Sequence, residues 1–220
     1  MSYELIVTLR SDTTFARGDG AGTEVDTEVE YDVTTGLPFV RGRVLKGLLT
    51  EECANLLFAL GDHSAAARLA ATAERWFGRA GSTMLDDGAL RIGTARLPAD
   101  LIAAVRSQVD AKTLQTADVL ASLTDVRRQT SVDDNGLPAD GSLRSARVVL
   151  RGVTFTAPLH ISAADADGLA LLAACVKAVR RGGLGRNRGR GRLELHLHAD
   201  GADVTERHFT AFAVLIGAGK

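Results

Sequence analysis

Thirteen residues, Arg180-Arg-Gly-Gly-Leu-Gly-Arg-Asn-Arg-Gly-Arg-Gly-Arg192, hold six arginines, five glycines and no acid. The chemistry open to such a stretch is anion binding. Glycines let the main chain approach a ligand closely and aim N–H groups at its oxygens, and each guanidinium fork can clamp a phosphate through two parallel hydrogen bonds. Six forks in succession suit a run of phosphates, as on a nucleic-acid backbone, better than a single small anion. The chain is Arg-rich throughout, with 22 arginines against four lysines, so a solvated Gly/Arg loop is the competing reading. About one Arg per ten residues would nonetheless place one or two in this window rather than six. Arg180 and Arg181 also end a predicted helix, whose C-terminal dipole accounts for them. Arg186, Arg188, Arg190 and Arg192 are therefore the better ligands, with Gly183, Gly185, Gly189 and Gly191 shaping the backbone around the anion.

A second cationic group, Arg41, Arg43 and Lys46, sits where a helix is predicted to start, and helix N–H groups and cations both favour phosphate there. It is not a P-loop, because the Gly-Lys-Ser/Thr ending is absent. Opposite in sign is Glu24 to Asp32, where Glu24, Asp26, Glu28, Glu30 and Asp32 alternate with Val25, Thr27, Val29 and Tyr31. A strand there would align five carboxylates on one face. Such a face repels phosphate unless a divalent cation intervenes, since Mg²⁺ binds through one or two carboxylates together with phosphate oxygens and waters. The plainer alternative is an edge strand kept charged against aggregation. Glu194, His196 and His198 share one face of a predicted strand and are read as outward polar residues rather than a metal site. His160 could act as a general acid or base, although a lone strand histidine is usually structural. Cys53 and Cys175 sit in apolar helical patterns and read as small buried hydrophobes.

These residues need a scaffold, and the composition allows one. With 220 residues and 45% hydrophobic content, the chain can bury a real core. A formal net charge of −1 and a pI near 6.5 leave any nucleic-acid affinity to a local patch. The start lacks a basic and apolar leader, and no run approaches the roughly 18 apolar residues of a membrane span, so a cytoplasmic protein with no membrane partner is expected. With only 5% aromatic residues, broad stacking on bases is not expected. Tyr3 to Arg10 alternates as a strand. Arg43–Leu60 and Asp62–Phe77 show helical spacing, the latter ending at Gly78. Leu90–Leu97 reads as a strand and Pro98 to about Leu123 as helical. Ala146–Leu150 and Val153–Ile161 read as strands, with a bend at Arg151-Gly152. A helix capped by Ser162 is predicted to run through Arg181, followed by a strand carrying Leu193, Leu195 and Leu197. Glu206–Ile216 is apolar and fits either strand or helix.

The order is strand, helix, strand, strand, helix, strand: an α+β fold of the ferredoxin-like (RRM-like) βαββαβ pattern. It reads as one domain over residues 1–220, with an acidic-loop insertion at about 11–36 and a helical one at 98–142, and the Arg/Gly loop before the last strand.

Four blocks in this order resemble the RAMP superfamily of CRISPR-associated proteins. Gly36-Leu-Pro-Phe-Val-Arg-Gly-Arg-Val-Leu-Lys-Gly-Leu-Leu49 is similar to the family's helix-opening turn "I-P-G-S-S-L-K-G", with Arg41 in place of the proline and Arg43 and Val44 in place of the serines. Trp76-Phe-Gly-Arg-Ala-Gly-Ser82 resembles its "F-G" segment. Val126 to Leu137, continuing to Phe155, resembles the loop leading into its third strand. Gly182 to Gly191 resembles its glycine-rich loop. Within the superfamily the chain looks most like the backbone subunit of type III effector complexes, which repeats along the guide RNA.

That resemblance implies a glycine-rich loop and helix-start turn holding CRISPR guide RNA, with target RNA and other effector subunits as partners. It also implies cleavage of the target by an aspartate six positions before the acidic residue of the Leu-Pro turn, which falls on Asp26, with Asp32 in the turn. Mg²⁺ or another divalent cation would be the cofactor. A guide-precursor endoribonuclease using a histidine such as His160, and a purely architectural RNA-binding subunit, are the alternatives.

Overall fold

A computed structural model describes residues 1–18, 25–79, 88–130, 137 and 141–217. Its centre is a five-stranded antiparallel sheet of β1 (Tyr3–Leu9), β2 (Leu90–Ile92), β5 (Thr154–Ile161), β6 (Leu193–Ala199) and β7 (Ala202–Asp203), in the order β2-β5-β1-β6-β7. β1 lies in the middle, paired antiparallel with β5 on one side and β6 on the other. Leu5, Val7 and Leu9 are fully buried, while Glu4, Ile6 and Thr8 face the other side beside His198, His196 and Glu194 of β6. Helices α1 (Gly42–Leu60), α2 (Ala66–Phe77), α5 (Ala166–Ala178) and α6 (Thr205–Gly217) complete the layer on the buried side. The framework strands stand in the order fourth, first, third, second, which is the ferredoxin-like fold expected.

α5 is the helix the others pack around. Every residue from Gly168 to Val176 is buried, and α1, α2 and α6 all lean on it. Trp76 of α2 lies directly over Gly168, where a Cβ would overlap the indole ring. The indole Nε1–H donates to Asp165 Oδ2 at 3.0 Å, and Asp165 Oδ1 accepts the Gly168 N–H at 2.8 Å. One carboxylate thus caps α5 and anchors Trp76, so the helix starts at Ala166 and not at Ser162. It also stops at Ala178 rather than running through Arg181. Val179 is extended, and the next residues pair backward: the Leu193 N–H donates to the Arg180 carbonyl and the Gly182 N–H to the Gly191 carbonyl, both at 2.9 Å.

The strand expected over Leu90–Leu97 is regular only to Ile92. Ile92 pairs with Leu159 and Arg96 with Thr156, so four steps on the β2 side meet three on β5: the extra residue of the bulge lies within residues 93–95, opposite Pro158, which has no N–H to donate. The helical stretch after Pro98 divides into α3 (Ala99–Asp110) and α4 (Thr116–Leu123), with Lys112 in the left-handed region between them. It is followed by a strand that the sequence reading missed: β3 (Thr124–Gln129) pairs with β4 (Arg144–Val149) in a hairpin separate from the main sheet. The apolar tail is the helix α6, with Phe212 inside. Cys53 and Cys175 are buried on α1 and α5. No helix among the described residues is long and apolar enough to cross a membrane.

Candidate nucleic-acid interface

The Arg/Gly loop closes at its base like a hairpin. Arg181 bridges Arg192 across it, and Gly191 and Gly183 are required there, each at positive φ and placed so that a Cβ would overlap the carbonyl of Gly182 or Thr14. The Leu184 N–H donates to Thr14 O at 2.8 Å and the Gly191 N–H to Asp12 O at 3.3 Å, which lashes the loop to the segment after β1. That same segment runs along β4. Thr13 exchanges backbone hydrogen bonds with Val149, and Thr27 with Ser145 and Arg147, at 2.8 to 3.1 Å. The loop and the β3–β4 hairpin are therefore held side by side by one intervening stretch of chain.

Between them lies a groove of about 530 Å³. Arg186, Arg188 and Arg190, with Gly183 and Gly185, form its loop wall. The opposite wall is one face of the hairpin, Arg127 and Gln129 on β3 beside Arg144 and Ala146 on β4, as the register Arg127↔Ala146 and Gln129↔Arg144 requires. Five guanidinium groups thus share one concavity in a chain of near-neutral net charge. Two of them are tied down. Arg186 forms a bidentate pair with Glu51 of α1, both N–O distances 2.8 Å, and Arg127 pairs with Asp12 at 2.7 Å and Asp125 at 3.1 Å. Arg144 donates only to the backbone carbonyls of Gly141 and Leu143, and Arg188 and Arg190 make no ion pair among the described residues. These three are the cations ready for an anion. Arg127 escaped the sequence reading because β3 did, its mostly exposed residues showing no apolar face, and Arg144 because β4 begins two residues before the strand expected from Ala146.

The remaining sequence candidates stand elsewhere. Gly189 shapes the loop crown, and Arg192 is exposed but lies outside the groove, its N–H donating to Ser11 Oγ at 2.9 Å. Arg41 precedes the first residue of α1 and is bound by Glu30, whose carboxylate is buried at 7% side-chain exposure; the Arg41 Nη2–Oε2 distance is 2.9 Å. Its guanidinium holds the turn before α1. Arg43 is exposed one residue into the helix and Lys46 is half-buried. Arg43, Gly47 and Glu51 recur every four residues, so one exposed face of α1 runs from Arg43 to the Arg/Gly loop.

The acidic segment does not form the single carboxylate face expected; Glu24 lies outside the described residues. Residues 25–32 touch other strands only through isolated bridges, and each acid turns to its own partner. Asp26 Oδ2 accepts the Ser145 N–H at 2.6 Å and its Oγ–H at 2.9 Å, which holds the exposed Asp26 carboxyl below the usual aspartate range. Glu28 takes Arg147 Nε at 2.9 Å, Glu30 takes Arg41, and Asp32 Oδ1 accepts the Thr34 hydroxyl at 2.6 Å and N–H at 2.9 Å. Asp26 sits at the rim of the arginine groove, because its neighbour Thr27 and its partner Ser145 line the wall. Asp32 stabilises the turn to Leu37-Pro38.

The model of the RAMP superfamily matches residues 8–194. The chain belongs to the RAMP superfamily. Among curated proteins, none matches this sequence. The fold of this RAMP chain is shared by many solved chains, two of which serve as examples. A chain of a Type III-B Cmr-beta complex bound to cognate target RNA aligns at a TM-score of 0.64 and 12% identity, covering 95% of this chain and 99% of that one. A chain of the Type III-B Cmr-beta complex in its apo state aligns at 0.62 and 14% identity, covering 92% and 99%.

On the exposed side of the RAMP chain's sheet, His196 is held by Asp203 at 2.8 Å and Glu194 at 3.2 Å, an outward polar cluster as expected. His160 pairs in register with Arg91 and lines a separate hollow of about 290 Å³ with Arg91 and Ser162. Among the described residues, no three His, Cys, Asp or Glu side chains converge as ligands for a metal ion.

Proposed function

We propose that this chain is an RNA-binding backbone subunit of a type III CRISPR interference complex, repeating along the guide RNA in the cytoplasm beside other effector subunits. The observation that carries the reading is the groove, in which Arg144, Arg188 and Arg190 face an open concavity and form no ion pair among the described residues. Guanidinium groups spaced along a channel with few aromatic residues read a phosphate backbone and leave bases unread. Membership of the RAMP superfamily and the fold shared with chains of Cmr-beta complexes, one of them bound to cognate target RNA, support the same assignment. Arg43 and Lys46 extend the guide-binding surface along α1.

Asp26 is the residue proposed to cut target RNA. Ser145 fixes its carboxylate at the groove rim, ionised, with one oxygen turned to Ser145. There it can take a proton from an attacking 2′-hydroxyl at a distorted linkage. The described residues offer no protein cage for a cation, so a divalent ion would rest on Asp26 and on the RNA's own phosphate oxygens, where it would neutralise charge.

The test is purification of the tagged protein from its host, with sequencing of the RNA that accompanies it. Guide RNA should copurify, and R188A/R190A should lose it by about a hundredfold in affinity, since each charge-assisted phosphate contact is worth roughly a factor of ten or more. Retention of RNA by the folded double variant overturns the assignment. Asp26→Ala should keep both RNAs and cut the target at least about a hundredfold more slowly. Cutting that persists in Asp26→Ala but vanishes in His160→Ala, and survives EDTA, indicates the guide-precursor endoribonuclease; no cutting by the unaltered complex indicates the architectural subunit.

A further inference from the structure

Between Leu184 and Gly191 the Arg/Gly loop has little to lean on. Its crown is a single 3-10 turn, Arg186–Arg188, with no buried residue, flanked by Gly185 at φ 73° and Gly189 at φ 85°. The Arg188 N–H closes that turn on the Gly185 carbonyl at 2.8 Å, and Arg181 Nη1 reaches the Arg186 carbonyl at 3.4 Å, both within the loop. Among the described residues, one pair ties the crown to another element: Arg186 to Glu51 on α1, in bidentate geometry at 2.8 Å for each contact.

We propose that Glu51 is a positioning residue for RNA binding, holding the loop crown on α1 through Arg186 so that Arg188 and Arg190 meet the phosphates in a fixed geometry. The proposal rests on the reading of the groove as an RNA surface. A two-point guanidinium–carboxylate pair fixes orientation as well as distance, which a lysine in place of Arg186 could not do. α1 is a rigid anchor, with Leu45, Leu48, Leu49 and Cys53 buried around the exposed Glu51. A crown hinged on two left-handed glycines and released from that anchor would have to be ordered by the RNA itself, and ordering at the moment of binding lowers affinity. The pair is half-exposed, with 35% and 46% side-chain exposure, so its effect on overall stability is small.

Simple charge arithmetic gives the opposite sign, which makes the inference testable. Glu51 is a negative charge beside a phosphate-binding groove, and its removal alone should tighten RNA binding. Anchoring requires the reverse. Fluorescence anisotropy of the full-length protein with a labelled unstructured RNA, across a KCl titration, separates the two. Glu51→Gln should weaken binding about three- to tenfold with no change in melting temperature. The slope of log Kd against log salt should stay constant, because the number of phosphates neutralised is the same. Glu51→Asp keeps the charge but shortens the reach, and should weaken binding in the same direction. E51R/R186E, which rebuilds the pair in reverse, should recover most of the loss.

Tighter binding by Glu51→Gln, with a salt slope steeper by about one, would overturn the inference: Arg186 would then be a phosphate ligand that Glu51 masks. A loss that E51R/R186E does not recover overturns it as well. R188A/R190A, measured in parallel, keeps this apart from the assignment of the groove. Undiminished binding by that variant defeats the RNA reading itself, whereas weakened binding there together with tightened binding by Glu51→Gln defeats the positioning role alone.

Discussion

Residues 186–192 and residues 25–32 carry charge at comparable density, and the fold uses the two sets in different ways. In the Arg/Gly loop only Arg186 has a carboxylate partner, while Arg188, Arg190 and Arg192 make no ion pair among the described residues. In the acidic segment, Asp26, Glu28, Glu30 and Asp32 are each engaged, by Ser145, Arg147, Arg41 and Thr34 respectively. Charge in a sequence therefore does not indicate what is available to a ligand. Availability depends on what the fold places within about 3 Å of each group, and here it sorts a binding surface from a stapled wall. Two of the staples also support the surface, because residues 26–28 run along β4, part of which lines the groove.

The largest effect expected from this contrast is at Arg41. Removing its guanidinium, itself 43% exposed, leaves the Glu30 carboxylate at 7% exposure without its bidentate partner, and breaking such a half-buried pair costs about 2 kcal/mol. Arg41→Ala should lower the chemical-denaturation midpoint accordingly. Arg43→Ala, two residues on, should leave the midpoint in place and weaken RNA binding in a salt-dependent way. An unchanged midpoint in Arg41→Ala would return Arg41 to the list of phosphate ligands and erase the distinction drawn between the two regions.

Much of the scaffold was legible because it repeats. The alternation of β1 and of Leu193, Leu195 and Leu197, and the leucine spacing of α1, place the sheet and its first helix directly, and Gly78 marks the end of α2. What failed was decided by partners distant in sequence. The start of α5 depends on Trp76, 89 residues before Asp165, and its end depends on backbone pairing across the Arg/Gly loop. β2 was cut short by Pro158 on the neighbouring strand. β3 reads Thr-Asp-Val-Arg-Arg-Gln, mostly exposed, so it offers no buried apolar face to betray a strand. In the candidate site, the six arginines of the loop were legible as a cluster, but which of them face the groove was not. That depended on Glu51 of α1 and on a hairpin wall formed some 50 residues earlier.

The smallest predicted effect probes the staple at Asp26 by pH. Five free carboxylates on one strand face would repel one another, which raises their pKa values; such a face gains stability as acid neutralises it. The structure gives the opposite sign. The Ser145 N–H and hydroxyl hold the Asp26 carboxyl below its ordinary range, and Thr34 does the same for Asp32. A depressed folded-state pKa contributes stability that is fully present above the unfolded value, near 3.8, and is lost as pH falls through the lower folded value. The melting temperature of Asp26→Asn should therefore lie slightly and constantly below that of the unaltered protein from pH 7 down to about 4.5, and the gap should close only at more acid pH. The gap will be small, because the Asp26 carboxylate is fully exposed and its hydrogen bonds compete with water. A variant that melts higher than the unaltered protein at pH 7, with the gain disappearing on acidification, would mean that Asp26 is repelled by its neighbours rather than held by Ser145, and the segment would again be a free acidic face.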